Sequence, residues 1–296
     1  MPPAYRFELA GPEDDAALRA VLRRTFMPGD IALTFQREPN FFAAEQVGNR
    51  ESQVITVRDI ASGAIVGLAC RSFRELFVDG TAVEGGYLSG LRGLPEARRG
   101  VLLARGYRFL KELHADQRTP YYVTTIFDDN AYAGELLTSR RAGLPVYQSL
   151  GHLHTYLIPL YGRRWWPRPS VHVVRGLSGP SLHAAVASIN RFNQLHQFAP
   201  NYTPEDLRGI TPLLAGFSPD NLYGYCDSAD FTATLGVWDQ TSFKQSVLVG
   251  YSRRYRLARP LCAAGAIFGL TPRLPKPGTP LPYVHGAFLS HASGCL

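Results

Sequence analysis

Apolar positions along the first quarter of the chain recur first at helical and then at strand spacing. Leu18, Leu22 and Phe26 follow one another at i+4 after Gly11-Pro12-Glu13-Asp14-Asp15. Proline suits the first helical position, acids suit the positive end of the helix dipole, and Arg23 and Arg24 suit the last turn, so a helix is predicted here. Two β-rich runs at 53–59 and 64–71 are separated by Ala61-Ser62-Gly63, and Asp79-Gly80 signals a second hairpin before a run at 82–91. These predict an antiparallel meander. After Gly100 the spacing turns helical again, with Leu102, Gly106, Phe109, Leu110 and Leu113 on one face. A strand is predicted at 121–127, a helix at 130–140 stopped by Gly143-Leu144-Pro145, and a last alternating strand at 152–159. The predicted order is βα, meander, α, β, α, β.

The second half restarts this pattern. Residues 161–170, with two prolines and the cluster Arg163, Arg164 and Arg168, suit neither a helix nor a central strand and mark a domain boundary. Trp165 and Trp166 there are expected to cover a domain interface. A strand at 171–175 and a helix at 181–195 follow, and Ala-Thr-Leu-Gly-Val-Trp at 233–238 echoes Ile-Val-Gly-Leu-Ala-Cys at 65–70. Residues 283–290 correspond to the run at 82–91, and the chain ends six residues later. Two domains, 1–160 and 171–296, are expected, the second a partial copy of the first.

Composition narrows the class. At 296 residues, with 45% apolar and 19% charged side chains, the chain can bury a real core. The longest apolar run, around 261–270, is short and interrupted by Gly265 and Gly269, and residues 1–11 lack the apolar stretch of a secretory signal. The expectation is a cytoplasmic protein without a membrane partner. Cys70, Cys226, Cys262 and Cys295 are widely spaced, as reduced thiols are, and Cys295 stands too near the end for prenylation. The net charge of +7 admits nucleic acid, an anionic membrane surface or a phosphorylated ligand. Of the arginine clusters, only the one at Arg92, Arg98, Arg99 and Arg105 sits on a recognisable phosphate-binding frame.

That frame runs Leu-Arg-Gly-Leu-Pro-Glu-Ala-Arg-Arg-Gly-Val-Leu-Leu-Ala-Arg-Gly over 91–106, from a strand through a turn into an amphipathic helix. Free N–H groups at a helix N-terminus take a pyrophosphate, and an exposed strand edge takes an extended arm. The segment resembles the coenzyme A loop of the GNAT acyltransferases, Leu-Arg-Val-x-Pro-Glu-x-Arg-x-x-Gly, matching at Leu91, Arg92, Pro95, Glu96 and Arg98. Asp129-Asn130-Ala131-Tyr132-Ala133 resembles the family's later Asn-x-x-Ala helix start. The resemblance covers roughly residues 5–160. It implies an α/β fold with a GNAT-like mixed sheet flanked by helices, and acetyl-CoA or a related acyl-CoA as co-substrate. The implied cofactor contacts are Leu91, Arg92, Gly93, Arg98, Arg99, Gly100, Val101, Leu102 and Asn130. Val101 stands where the family has the first glycine of its loop, and Leu137 where many members have the Tyr that protonates the leaving thiolate.

Transfer of an acyl group to an amine requires deprotonation of the amine, polarisation of the carbonyl and departure of the thiolate. Glu84, on the strand leading to Leu91, is the candidate base, set against a plain solvated carboxylate. Tyr147 could replace the missing acid if the loop at 143–145 folds inward, set against simple packing in a turn. His152 and His154 share a strand face without a third ligand, and no metal site is expected. Hydrolase and nucleotide-binding motifs are absent from the sequence. The expected function is N-acyl transfer from acetyl-CoA to a small-molecule or peptide amine, with a catalytically inactive acyl-CoA-binding module as the alternative. Nucleic acid is not an expected partner. The second domain is expected to bind no coenzyme A and to wall the acceptor pocket. Its exposed sheet surface is expected to be covered by the first domain or by a second subunit of a homo-oligomer, or else the chain is a shortened form of a longer tandem protein and is aggregation-prone.

Overall fold

In the computed structural model, residues 4–97, 102–128, 130–139, 143–158, 160, 173–226 and 231–291 are described. Strand β1 (Tyr5–Leu9) leads through a tight turn at Pro12–Asp14 into helix α1 (Asp15–Arg24), which buries Leu18, Val21 and Leu22. Phe26, expected on that face, lies past the helix end and is 52% exposed, because the backbone turns extended at Thr25. Strand β2 (Ile31–Gln36) and helix α2 (Phe41–Gln46) follow, then the long meander of β3 (Glu51–Asp59), β4 (Ile65–Val78) and β5 (Thr81–Gly93). Helix α3 (Leu102–Leu113), strand β6 (Tyr122–Val123) and helix α4 (Ala131–Thr138) complete the first half.

The five strands order as β1-β3-β4-β5-β6, antiparallel except for the parallel pair β5/β6, which makes a mixed sheet flanked by helices. Its core joins Leu18, Val21, Leu22 and Phe41 to Val54, Leu68 and Cys70. Alternation along β3 and β4 accounts for this, since inward-facing residues of a strand recur every second position. The strand expected at 121–127 contracts to two residues, because the chain leaves β5 after Val123. The strand expected at 152–159 is not formed at 152–158: these residues pair with no strand among the described residues, and Leu153 and Leu157 are 82% and 88% exposed. A strand needs a neighbour's edge, and the short β6 offers only two residues of one.

The second half contains β7 (Val173–Arg175), α5 (Gly179–Asn193), α6 (Pro204–Leu207), β8 (Leu222–Cys226), β9 (Phe231–Trp238), β10 (Gln245–Tyr251), α7 (Arg253–Ile267) and β11 (His285–His291). Its antiparallel sheet orders β11-β9-β8-β7. The succession β7, α5, β8, β9, β11, with neighbours paired in chain order, repeats that of β1, α1, β3, β4, β5. Its core packs Leu182, Val186 and Ile189 of α5 with Leu222, Phe231, Trp238 and Phe288, and it takes in Val47 from the first half. The interface expected of Trp165 and Trp166 lies outside the described residues.

The halves share more than a face. Strand β2 of the first pairs antiparallel with β10 of the second, a two-stranded ribbon that hydrophobic periodicity did not predict. Arg50 grips buried Asp206 through both carboxylate oxygens, at 2.7 and 2.9 Å. Backbone bonds join Phe77 to Phe198 and Ala199, and Gly48 to Leu213. Among the described residues no helix is long and apolar enough to cross a membrane.

Within the first sheet, Arg71 is 0% exposed and spends four of its five N–H donors. Its guanidinium donates to both oxygens of Asp116 at 2.8 and 2.7 Å, to Gln53 Oε1 at 2.8 Å and to the Tyr122 hydroxyl at 2.8 Å. The guanidinium holds the Asp116 carboxyl at about 2, well below its ordinary 3.8. This contribution to stability is complete above pH 4 and is lost as pH falls from about 4 to 2. Asp116→Asn leaves a buried cation unpaired, and its expected cost is about 3 kcal/mol. Urea unfolding at pH 7 measures that cost, and the variant should also lose this part of the wild type's acid sensitivity between pH 4 and 2.

Candidate functional site

Strand β5 changes character along its length. From Thr81 to Ser89 it pairs continuously with β4, and at Gly86 and Tyr87 it also pairs in parallel with β6. Gly86 is required there, since a Cβ would lie 2.4 Å from the Tyr122 ring. Beyond Val123 the chain diverges: the Thr124 hydroxyl donates to the Leu88 carbonyl at 2.8 Å, and no described strand accompanies Ser89, Gly90 or Leu91 on that side. The sheet opens at this point.

A bulge coincides with the opening. Cys70 is the partner of Ser89 and Leu68 that of Arg92, so Gly90 and Leu91 together face the single residue Ala69. A bulge withdraws backbone groups from the ladder on the bulged strand. Gly90 has φ +65°, and a Cβ there would approach Cys70 Sγ to 3.3 Å, so both backbone and space call for glycine. The sequence marked Leu91 without marking Gly90; an isolated glycine within a strand pattern was the available signal.

After the bulge, Arg92 and Gly93 rejoin β4, and the chain makes a tight turn at Pro95–Ala97. Glu96 takes an ion pair from Arg24 of α1 at 2.6 Å, which ties the turn to that helix. Arg98, Arg99, Gly100 and Val101 lie outside the described residues. Leu102 opens α3, which is held against β1 by Arg105 Nη2 donating to the Tyr5 carbonyl at 2.6 Å and by Gly106 beside Phe7. The segment is strand, turn and helix at every described position. Asn130 caps α4, its side chain accepting from the Ala133 amide at 3.3 Å, and Leu137 is buried in the same helix.

Tyr147 lies against α3, and Glu84 lies against Arg118. Gly143 approaches Ala104 on α3, and the Tyr147 and Tyr107 hydroxyls meet at 2.5 Å. Burial pushes both phenols up, which keeps them protonated at neutral pH. Glu84 lies six residues before Gly90, roughly 20 Å along a strand. Arg118 holds its two oxygens at 3.2 and 3.0 Å, and it lines a cleft of about 340 Å³ with Arg50, Glu75, Ala82 and Val83. A general base must reach its proton within a hydrogen bond or one water, so the structure does not bring Glu84 to the opening. His152 stands 3.5 Å from Asp128 in an exposed stretch, and no group of three metal-ligating side chains occurs among the described residues.

On the face of the first sheet covered by α1 and α2, a polar cluster adjoins the opening. Arg74 stacks 4.3 Å from the centre of the Tyr87 ring and donates through Nε to Asn49 at 2.6 Å. Buried Glu45 accepts from Arg37 at 3.0 Å. From the second half, Lys244 reaches in to the Val47 carbonyl at 3.3 Å. Burial, with Arg37 and Arg74 adding to it, pushes the Lys244 ammonium down to about 8. Phe35 of β2 stacks on Phe127 beyond β6, with ring centres 6.1 Å apart. The ribbon therefore borders the same region.

No family model matches the chain, and no curated protein matches it. Solved acetyltransferase structures are similar to about half of it. An acetyltransferase from Trypanosoma brucei, 14% identical, covers 51% of this chain and 100% of its own at a TM-score of 0.35. A ribosomal-protein-alanine N-acetyltransferase from Brucella melitensis, 13% identical, covers 53% and 100% at 0.39. Glucosamine-6-phosphate N-acetyltransferase from Arabidopsis thaliana, 10% identical, covers 50% and 99% at 0.35.

Lys244 gives the site a measurable signature. Below about pH 8 it is charged in both folded and unfolded chains, so the burial penalty is complete. Between about 8 and its ordinary 10.5 the folded lysine has released its proton while the unfolded one retains it, so stability rises with pH. Thermal unfolding across pH 7–10 should show this rise in the wild type and its loss in Lys244→Met.

Proposed function

We propose that the first half binds an acyl-coenzyme A and transfers its acyl group to an amine. The observation that carries this reading is β5, whose edge opens at the Gly90 bulge directly before a turn and the N-terminus of α3. The extended arm of coenzyme A would pair along Ser89–Leu91 on the side that no described strand accompanies, taking over the Leu91 carbonyl that now accepts from Arg92, and the pyrophosphate would take amides at the start of α3. Arg98, Arg99, Gly100, Val101 and Leu102 are assigned to the phosphates, and Leu91, Arg92 and Gly93 to the arm. Asn130 acts by starting α4.

In the reaction the amine nitrogen attacks the thioester carbonyl, the carbon–sulfur bond breaks, and the thiolate takes a proton. Tyr147, kept protonated by burial and oriented by Tyr107, is assigned to that proton transfer. Glu84 is assigned to the Arg118 pair at the hairpin end of β4 and β5, and the amine proton leaves to solvent. The second half is read as a partial copy of the first that binds no coenzyme A and walls the acceptor side through the β2–β10 ribbon. The alternative, a binding module without catalysis, draws on buried Leu137 in the place where the family carries its acid, and on the commitment of Glu84 to Arg118.

Calorimetry with acetyl-CoA tests the binding half of this reading. Wild type should bind one equivalent, Gly90→Val should lose at least about tenfold in affinity through loss of the bulge, and Arg99→Glu should weaken binding similarly. Equal affinity of all three proteins would place the phosphates elsewhere. Thiol release from acetyl-CoA across an amine library tests the transfer half: Tyr147→Phe should lower kcat about tenfold or more with KM little changed. Binding without thiol release from any amine would select the module.

A further inference from the structure

The polar cluster beside the opening has more positive than negative charge, and the imbalance is specific. Arg37, Arg74 and Lys244 meet one carboxylate, Glu45, and that carboxylate is engaged by Arg37. Arg74 is left with a neutral amide and an aromatic face, Lys244 with a single backbone carbonyl. The Arg74 Nη groups make no hydrogen bond among the described residues, and two of the three Lys244 donors are likewise unspent. Arg74 and Lys244 are both half-buried, with Glu45 as their shared counter-charge, so these unspent donors remain open to a ligand and the cluster carries an excess of positive charge that an anion would balance.

Position gives the anion a role. Ser72 bonds Ser52, which bonds the Glu45 carbonyl, so α2 covers the face of β4 that carries Ser72 and Arg74. Tyr87 pairs with Ser72 and shares that face, and it is the last residue of β5 joined to β6 before the sheet opens. The Tyr87 hydroxyl bonds Thr125 Oγ1 at 2.8 Å, at an exposed point on the diverging chain. Arg74, in register with Gly85, thus reaches along this face to the Tyr87 ring, two residues before Ser89, and Lys244 joins the cluster from the second half.

Resting on the transferase reading above, we propose that Arg74 and Lys244, with the Arg37–Glu45 pair beside them, bind the anionic group, a carboxylate or a phosphate, of the amine that accepts the acyl group. The guanidinium presents a fork to two oxygens and the ammonium a point charge, a combination that suits either anion. The acceptor class is then an amino acid, a peptide through its terminal or side-chain carboxylate, or an aminoalkyl phosphate, in preference to an uncharged amine.

Two measurements on the full chain test this. In thiol-release assays with acetyl-CoA, matched acceptors are compared: amino acids against their amides, and aminoalkyl phosphates against the corresponding amino alcohols. The charged member of at least one series should show a kcat/KM at least about tenfold higher, the range expected for charge-assisted hydrogen bonds. Which series responds distinguishes carboxylate from phosphate. Lys244→Met and Arg74→Gln should raise KM for the charged acceptors about tenfold and leave KM for the uncharged ones within about twofold. Without coenzyme, heats of titration with β-alanine or inorganic phosphate should be seen in wild type and lost in Lys244→Met, while the melting temperature of that variant at pH 7 is unchanged or raised. Transfer with equal use of both members of every pair overturns the anion site and leaves the transferase reading standing. Anion binding lost in Lys244→Met, with no transfer to any amine, sustains the anion site and overturns the transferase reading. A lowered melting temperature with anion binding intact shows Lys244 to be structural and overturns the proposal.

Discussion

The geometry of the first half turns on one buried cation. Arg71 can remain in the middle of β4 only because Asp116, Gln53 and Tyr122 together satisfy it, and these groups come from the α3–β6 connection, β3 and β6. The need to complete that set fixes where β6 touches the sheet. Tyr122 is drawn against β5 at Gly86, which must lack a side chain, and the parallel pairing lasts two residues. Once Tyr122 is seated, the following residues keep to β5 through the last pairing at Val123 and through the side-chain contacts of Thr124 with Leu88 and of Thr125 with Tyr87. The opening is thus a consequence of where a charged group was buried, and the bulge at Gly90 falls within it.

Much of this was legible in the sequence, for a physical reason. Elements that bury one face against a single core carry their period in the apolar positions, so α1, the meander of β3 to β5, α3, α5 and β9 could be read directly. The ribbon β2–β10 could not, because its partners lie in opposite halves and neither strand alternates strongly; register there is set by tertiary context. The strand anticipated at 152–159 shows the reverse error: alternation announces a capacity to pair, and the structure supplies no edge for 152–158. Glu84 reads from the sequence as a candidate base on the strand leading to Leu91; in the structure Arg118 holds it six residues before Gly90, about 20 Å along extended chain. The inward turn of Tyr147 depended on the loop at 143–145, whose path periodicity does not encode.

Polar groups organise the seam between the halves. Arg50 with Asp206, Asn201 with Glu75, and Gln197 with Asp79 are neutralised or hydrogen-bonded pairs that specify one docking arrangement. The cluster of Arg37, Arg74, Glu45 and Lys244 lies along the same seam and is not neutral. The contrast distinguishes contacts that serve assembly from a set whose charge is left over after assembly is complete. Of these four side chains only Lys244 comes from the second half, so the cluster is completed when the halves dock.

The ribbon also bears on how the chain comes to be folded. Glu38, just past β2, hydrogen-bonds Gln245 at the start of β10 across 207 positions of sequence. Contacts of such long range form late, because the entropy of closing the intervening loop must be met before they contribute. During synthesis the N-terminal sheet can assemble from neighbouring strands well before β10 has left the ribosome. Through that interval the six residues of β2 lack their partner β10, and the polar cluster lacks Lys244. The protein therefore passes through a stage with a finished sheet and an unfinished site, and that stage is the one in which a chaperone's shelter, or its absence, would be most felt.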